Sequence, residues 1–169
     1  VAAFSRYPAA LDWARDRVVG HFGTICRESE PFDFEQTEYY TPSMGSGLRK
    51  VFFALSRLVD PGELVDAKLL ANGWEAEYSS VSDHPEARPL NLDPGYLTRG
   101  KLVLASTKDF AHRIYLSRGI YAEVTLQYRH GGWEGHQWTF ADYRREDYQR
   151  FFSACRDDLR DLIREERAK

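Results

Sequence analysis

The sequence predicts one α+β domain with a ferredoxin-like βαββαβ core, extended by an extra helix, a β-hairpin and a long C-terminal helix. Two observations support this prediction. Up to about residue 93, short runs of β-forming apolar residues alternate with segments whose apolar residues recur every three or four positions. Beyond residue 93 both patterns continue, and no stretch rich in Gly, Ser or Pro interrupts them. We therefore expect a single domain over 1–169, with 1–93 as the ferredoxin-like part and 94–169 as the extension.

Six elements make up the predicted core. In chain order they are a strand at 2–4, a helix at 10–22, strands at 24–30 and 51–59, a helix at 64–78 and a strand at 88–93. The strand at 51–59 is the clearest, because bulky apolar side chains crowd a short β-compatible run. Before the second helix, Asp60 can act as the cap, Pro61 suits the first helical position, and Glu63 completes a capping box.

The extension begins with a segment that allows two interpretations. Asp93-Pro94 repeats the cap-and-proline pattern, and apolar residues from Tyr96 to Thr107 fall within one helical face, which predicts a helix. Leu102 breaks that face, however, and residues 101–104 are equally typical of a strand. The chain ends in a long amphipathic helix whose apolar residues begin at Tyr148.

Alternating apolar and polar residues over 113–127 predict a β-hairpin. A two-residue turn would mix the two faces of this hairpin. A three-residue loop at 117–119 keeps one face apolar and puts Gly119 where a left-handed residue is needed. The expected cross-strand pairs are therefore Leu116 with Ile120, Tyr115 with Tyr121 and Arg113 with Glu123.

Composition excludes several classes of function. The 169 residues carry 23 Lys and Arg against 26 Asp and Glu, a formal charge of −3, so we expect no general nucleic-acid binding and no binding to anionic membranes. No apolar run reaches the length of a membrane span, and no signal-peptide pattern is present. Two cysteines form no disulfide or zinc pattern, which favours a cytoplasmic protein with reduced thiols. The chain opens at Val1, without Met and inside an expected strand, which is compatible with a missing upstream segment.

One segment imitates a phosphate-binding loop. Residues 95–101 have the G-x-x-x-x-G-K spacing, between an expected strand and an expected helix. Leu102 stands where such a loop needs Ser or Thr to hold magnesium, and Ser106-Thr107-Lys108-Asp109 lacks the spacer of the guanine-reading motif of GTPases. GTP binding is therefore the least supported functional interpretation.

A polar surface spread over several elements is the stronger candidate site. In this interpretation lysine and arginine side chains neutralise an anionic ligand, Glu123 orients Arg113 or acts as a base, and His112 transfers protons. The predicted catalytic residues are Glu123, His112 and Asp93. The predicted ligand-binding residues are Lys101, Lys108, Arg113, Asn91, Tyr96, Tyr39 and Tyr40.

One feature of this surface is the spacing of its lysines, and another has a simpler explanation. Lys101 and Lys108 are seven residues apart, which on the expected helix puts them two turns along one face. Arg113 and Glu123 are equally compatible with an ordinary cross-strand ion pair, worth about 0.2–1 kcal/mol.

The sequence predicts no metal site and leaves any cofactor unknown. His130 and His136 lack a standard ligand spacing, and no set of three or four ligands is expected to converge. Residues 31–47 form an aromatic and acidic segment. Its Phe residues are expected to fill the core, whereas Tyr39 and Tyr40 are left open between a ligand contact and a core position.

Several motifs of the chain are long enough to be specific to a family. The longest covers 91–97 and 101–109 and continues through 112–116, 119–126, 138–139 and 142–143, and shorter motifs lie at 30–32, 37–40, 44–48, 60–64, 68–69 and 72. Together they resemble the bacterial family called domain of unknown function 4416. The resemblance implies no established activity, although some members carry a GTP-binding label. It adds Lys68 and Asn72, which are four residues apart on one helical face, to the ligand-binding residues, and Glu38 stands where the family usually has Asp.

The leading hypothesis is a cytosolic module that binds a small anionic metabolite or nucleotide, with or without catalysis. It requires Glu123, Arg113, Asp93 and Lys101 to line one concavity. The alternative is a non-catalytic interaction protein, such as a homodimer. The sign of that alternative would be an exposed apolar patch formed by Phe32, Phe34, Tyr39 and Tyr40.

Overall fold

The computed structural model of the chain describes residues 1–34 and 39–168. Within them, four α-helices and two antiparallel sheets form an α+β architecture, which confirms the predicted fold class. The chain divides into two compact units, Val1–Ser56 with Asp66–Pro94 and Arg57–Val65 with Gly95–Lys169. That residues 1–169 form one domain stays a prediction. Glu38, singled out for its departure from the family pattern, lies outside the described residues.

The first unit contains the predicted βαββαβ order of elements, with one short strand and one short helix added. In chain order the elements are β1 (Ala2–Ser5), α1 (Pro8–Phe22), β2 (Ile25–Glu28), β3 (Phe32–Asp33), α2 (Thr41–Met44), β4 (Arg49–Leu55), α3 (Leu64–Val81, in this unit from Asp66) and β5 (Asn91–Asp93). The strands follow the order β2-β4-β1-β5, β3 also pairs with β4, and every pair is antiparallel. This topology is compatible with the predicted ferredoxin-like arrangement.

Two consecutive residues of β1 belong to two different apolar clusters. Ala3 belongs to a core that includes residues of α1, α3, β4 and β5. Because successive side chains of a strand point to opposite faces, Phe4 points away from this core and packs with Phe34, Met44 and Leu48. Phe34 therefore fills a core position, as the sequence predicts.

The predicted capping box precedes α3. The Gly62 N–H donates to Asp60 Oδ1 at 2.7 Å, and the Asp60 N–H donates to Glu63 Oε1 at 3.3 Å. Pro61–Glu63 form a single 3₁₀ turn that leads into the α-helix at Leu64. Each side chain thus satisfies a main-chain donor that the helix start would leave unpaired.

The second unit is a twisted set of antiparallel strands followed by one long helix. Its elements are β6 (Gly95–Leu97), β7 (Lys101–Ser106), β8 (Ile114–Ser117), β9 (Ile120–Arg129), β10 (Gly132–Gly135), a 3₁₀ turn at Ala141–Arg144 and α4 (Glu146–Arg167). The order is β10-β9-β7-β6, and β8 also pairs with β9. Because β7 occupies one edge of β9, the other edge is shared by β8, opposite residues 120–122, and β10, opposite residues 126–129.

The extra helix predicted after residue 94 is wrong. Residues 95–97 and 101–106 form strands β6 and β7, the second of the two interpretations that the sequence allows for part of this segment. Leu102, Val103, Leu104 and Ala105 are all buried. Four consecutive buried residues exceed what one helical face can bury, whereas a strand covered on both faces buries them all.

The predicted three-residue hairpin loop is also wrong, although part of the register is right. Tyr115 lies opposite Tyr121 as expected, but Ser117 takes the place of Leu116 opposite Ile120. Arg118 and Gly119 form a two-residue connection with φ values of 51° and 77°, as in the turns that suit hairpins. A register shift between Tyr115 and Ser117 absorbs the difference, because a bulge adds one residue to a strand and restores its alternation.

The long C-terminal helix is confirmed as α4, which buries Tyr148, Phe152 and Cys155 on one side. Among residues 1–34 and 39–168, no helix is both long and apolar enough to cross a membrane.

Candidate functional site

A buried carboxylate, Glu123 of β9, is the centre of a polar cluster in the second unit. Glu123 Oε2 accepts hydrogen bonds from Arg113 Nε at 2.7 Å and from His112 Nε2 at 3.1 Å. Thr125 Oγ1 donates to the other carboxylate oxygen at 3.3 Å. We call these four residues, His112, Arg113, Glu123 and Thr125, the Glu123 cluster. The side chains of Glu123, Arg113 and His112 are 2%, 10% and 12% exposed, so water screens their interactions weakly.

The cluster lies where neither β8 nor β10 covers β9. At this gap the main chain of β9 is bound by two side chains from the loop after β10: Trp138 Nε1 donates to Val124 O at 3.3 Å, and Thr139 Oγ1 donates to Thr125 O at 2.6 Å. The Trp138 ring stacks on His112, with centroids 5.2 Å apart and planes within 12°. Trp138 therefore fixes the plane of the His112 ring, while Glu123 fixes its rotation.

The hydrogen bonds leave specific atoms of the cluster available. Because an ionised carboxylate only accepts, the contact with Glu123 puts a proton on His112 Nε2 and makes Nδ1 the acceptor of the neutral ring. Arg113 uses Nε for Glu123 and Nη1 for Lys108 O, at 3.1 Å. Arg113 Nη2 and His112 Nδ1 make no hydrogen bond to any residue that the structure describes.

A second polar cluster lies in the first unit around Lys68 of α3. Lys68 Nζ donates to Leu92 O at 2.8 Å and to Asp93 Oδ1 at 3.0 Å, and it lies 4.0 Å from Glu75 Oε1. Asn91 Nδ2 donates to Asp93 Oδ2 at 2.9 Å. Arg88 Nη2 donates to Glu75 Oε2 at 3.2 Å and also binds Asn91 Oδ1. We call the set Lys68, Glu75, Arg88, Asn91 and Asp93 the Lys68 cluster.

Two members of the Lys68 cluster cover the free edge of β5. β5 ends the order of its sheet and pairs Leu92 with Ala3 of β1. The Leu92 N–H donates to Glu75 Oε1 at 2.8 Å, and Leu92 O accepts from Lys68. These two bonds occupy the main-chain groups that a further strand would need, so they protect the edge.

The pKa values of the two carboxylates of the Lys68 cluster are shifted in opposite directions. Burial by itself would raise the pKa of Asp93, but the charges of Lys68 and Lys50 and the hydrogen bonds from Lys68 and Asn91 lower it below its ordinary value. Burial raises the pKa of Glu75, and the nearby Lys68 charge and the Leu92 N–H offset this only in part. Asp93 is therefore the carboxylate of this cluster that stays ionised most readily.

The two predicted ligand-binding lysines of the second unit take separate positions. Lys101 is exposed at the start of β7, opposite Gln127, whereas Glu123 lies opposite Leu104 further along the strand. Lys108 follows the end of β7, where its carbonyl binds Arg113. The prediction that the two lysines share one helical face is wrong, because the segment between them is a strand.

Of the other predicted residues, one lies in a strand, one in a helix and one in a turn. Tyr96 is in β6 opposite Val103. Asn72 is half-buried on α3, one turn after Lys68. Tyr39 is 62% exposed, with its ring 5.0 Å from that of Tyr40.

The order of strands also excludes a phosphate-binding loop at 95–101. Such a loop delivers phosphate to the N-terminus of a helix, but Gly95 lies in β6 and Lys101 begins β7. Gly95 has a steric reason instead: a Cβ there would overlap Val103 O and come within 2.8 Å of Leu104 Cδ2. The glycine spacing therefore belongs to close strand pairing.

The predicted site residues divide between the two units. Asp93, Asn91 and Lys68 belong to the first unit, and Glu123, Arg113 and His112 belong to the second. A common concavity for Glu123, Arg113, Asp93 and Lys101 stays a prediction. In the described ranges, no three His, Cys, Asp or Glu side chains are grouped as a metal ion would need.

Sequence reasoning missed three residues that contact the two clusters. Glu75 follows Lys68 by seven residues, two turns along α3, and this spacing is a signal that could have linked it to Lys68. Arg88 and Trp138 carry no such signal, because their partners depend on how β5 and the loop after β10 fold back.

A small α+β protein with two buried clusters of mixed charge is the class that these observations define. Residues 1–159 match the family described as Domain of unknown function (DUF4416), and the chain belongs to this family. This confirms the resemblance read from the sequence. No curated protein and no solved structure matches the chain.

Proposed function

We propose that this protein binds a small anionic ligand through Arg113 and His112, which Glu123 holds in place. The observation that supports this most is that one buried carboxylate anchors both side chains. Arg113 Nη2 keeps both of its N–H groups for a further acceptor. A guanidinium fixed in this way meets phosphate or carboxylate oxygens at little cost in side-chain entropy.

The same arrangement suits proton transfer if the bound ligand is a substrate. A carboxylate that binds one nitrogen of a histidine orients the ring and stabilises its protonated form. His112 then exchanges a proton through Nδ1, and Arg113 holds the charge of the ligand. Asp93, Asn91 and Lys68 stay predicted site residues. The side chains of Lys68 and Glu75 already bind main-chain groups of β5.

Two further parts of the functional hypothesis have different support. We place the protein in the cytoplasm because neither of its two cysteines, Cys26 and Cys155, is in a disulfide. The aromatic interaction patch that the sequence suggests finds no support, because Phe34 is buried and packs with Phe4. Pairing with a second copy therefore requires another surface.

The test is thermal unfolding in a phosphate-free buffer, with inorganic phosphate, pyrophosphate, nucleotides, sugar phosphates and carboxylates added in turn. A ligand at about one hundred times its Kd adds about 2.7 kcal/mol, which corresponds to a rise of about 5–10 °C in Tm for a chain of this size. We expect one chemical class of anion to give such a rise.

Two variants locate the effect. Arg113→Lys keeps the charge but removes the planar fork, and we expect it to lose most of the rise. Arg17→Lys is the matched control, because Arg17 forms an ion pair with Glu77 on the exposed surface of the first unit. A flat response to the whole panel, or a rise that Arg113→Lys leaves intact, contradicts the proposal.

A further inference from the structure

The outer edge of β8 is exposed, unlike the edge of β5, which side chains cover. Within the residues that the structure describes, β8 pairs with β9 and with no other strand. Its first three residues, Ile114, Tyr115 and Leu116, are 71%, 57% and 41% exposed. Successive residues of a strand point to opposite faces, so apolar surface is exposed on both sides of this edge.

Natural proteins protect exposed edges with charges, prolines or a covering element. The four residues of β8 carry no charge and no proline. By contrast, Lys68 and Glu75 cover the edge of β5. β8 is short, with four residues, and the bulge before Ser117 confines regular pairing to the segment around Tyr115.

We propose that β8 pairs antiparallel with β8 of a second copy of this chain, around a two-fold axis at Tyr115. A second strand suits this open edge, because a strand can satisfy a whole row of main-chain donors and acceptors at once. In this register Tyr115 meets its own copy, and each Ile114 meets Leu116 of the other strand. Every apolar side chain thus meets an apolar partner and no like charges are opposed.

The symmetry also limits the assembly. An antiparallel pair of identical strands forms an isologous interface, which closes after two copies. The sheet would then run β6-β7-β9-β8 in one copy and continue as β8-β9-β7-β6 in the other. Open-ended growth of the kind that an unprotected edge permits is avoided.

The exposed area predicts a weak dimer. Three exposed side chains per copy, each offering on the order of 100 Å², bury about 600 Å² in total. This is well below the range of about 1,200–2,000 Å² for stable interfaces, so we expect a transient dimer that forms at high protein concentration.

Sedimentation velocity of the full chain from 1 to 300 µM tests the proposal. The weight-average mass is expected to rise from the monomer value of 19.6 kDa towards that of a dimer. Ile114→Lys puts a charge on the edge at a site exposed enough to leave folding intact, and it should weaken association at least tenfold. Val81→Lys, at a position that is 68% exposed on α3, is the matched control and should dimerise like the wild type.

Cross-linking tests the register. In a Cys26→Ser background, Tyr115→Cys puts two cysteines directly opposite each other, with Cα atoms about 4.5–5.5 Å apart, within reach of a disulfide. Ile114→Cys puts them diagonally apart, so mild oxidation should link the first variant and not the second. A monomer at every concentration, association that Ile114→Lys leaves unchanged, growth beyond two copies, or equal cross-linking of the two variants would each overturn the proposal.

Discussion

Glu123 is the residue on which the polar interactions of the second unit converge. Its two carboxylate oxygens accept from Arg113, His112 and Thr125, and its side chain is almost fully buried. A buried ion pair adds little net stability by comparison with an apolar pair, but removal of one partner leaves the other charge without compensation. A substitution of Glu123 alone should therefore lower the free energy of unfolding.

Glu123→Gln should lower the free energy of unfolding by about 3 kcal/mol, because Arg113 then keeps a buried charge without a counter-ion. Glu77→Gln is the control, since its ion pair with Arg17 is 42% exposed on both sides and should contribute at most about 1 kcal/mol. Urea unfolding of both variants measures the difference. Equal losses would mean that Glu123 behaves as a surface ion pair.

Asp93 should make the stability of the protein depend on acid. Its pKa is lowered in the folded chain, so its contribution is fully present above its ordinary pKa of about 3.9 and is lost as the pH falls further. The difference in unfolding free energy between wild type and Asp93→Asn should thus shrink from pH 6 to pH 3. Glu75 has a raised pKa, to which the Asp93 charge contributes, and therefore the opposite dependence, so the difference reports Asp93 together with its coupling to Glu75.

The control for this titration is Asp16→Asn, a change on the exposed side of α1. At this exposed position the change should alter the free energy of unfolding by about 0.5 kcal/mol or less. If the Asp93→Asn difference is constant with pH, the lowered pKa of Asp93 is contradicted.

At the scale of elements, the pairing of β6 with β7 depends on the absence of a side chain at Gly95. Gly95 lies opposite Leu104, and its Cα is close to the main chain of Val103. The glycine that the sequence associates with phosphate binding is thus a condition for two strands to pair closely.

Gly95→Ala should destabilise the protein by about 1–3 kcal/mol through overpacking against Val103 O and Leu104. Gly100→Ala, in the connection between the same two strands, is the matched control because a Cβ there meets nothing within 4 Å. Thermal unfolding measures both, and Gly100→Ala should change Tm little. A loss for Gly100→Ala as large as that for Gly95→Ala would show that the contact at Gly95 is not the cause.

At the scale of the whole molecule, the two cysteines report on the packing of both units. Cys26 lies exposed in β2 of the first unit, and Cys155 is buried on α4 of the second. A thiol reacts only where reagent reaches it. The native protein should therefore release one equivalent of thiol promptly with an aromatic disulfide reagent, and the denatured protein two.

Cys26→Ser provides the control, since its native form should then react only as fast as the protein opens. Prompt reaction of both thiols in the native wild type would contradict the packing of α4.

Short-range signals sufficed for several contacts between groups that are near in the chain. The capping box at Asp60 involves neighbours within one turn, and the pairing of Tyr115 with Tyr121 follows from alternation across a short connection. The juxtaposition of Arg113 and Glu123, made by the same hairpin, was likewise predictable, as were the amphipathic pattern of α4 and the family itself.

Long-range packing decided the rest. Residues 101–106 became a strand because both of their faces are buried, and a one-dimensional pattern does not reveal whether a second face is covered. The contact of Lys68 with Leu92 spans 24 residues, and that of Trp138 with Val124 spans 14. Such contacts arise where the folded backbone leaves main-chain groups unpaired at a strand edge. Their partners are set by which side chain the fold brings within reach, and only the tertiary structure contains that information.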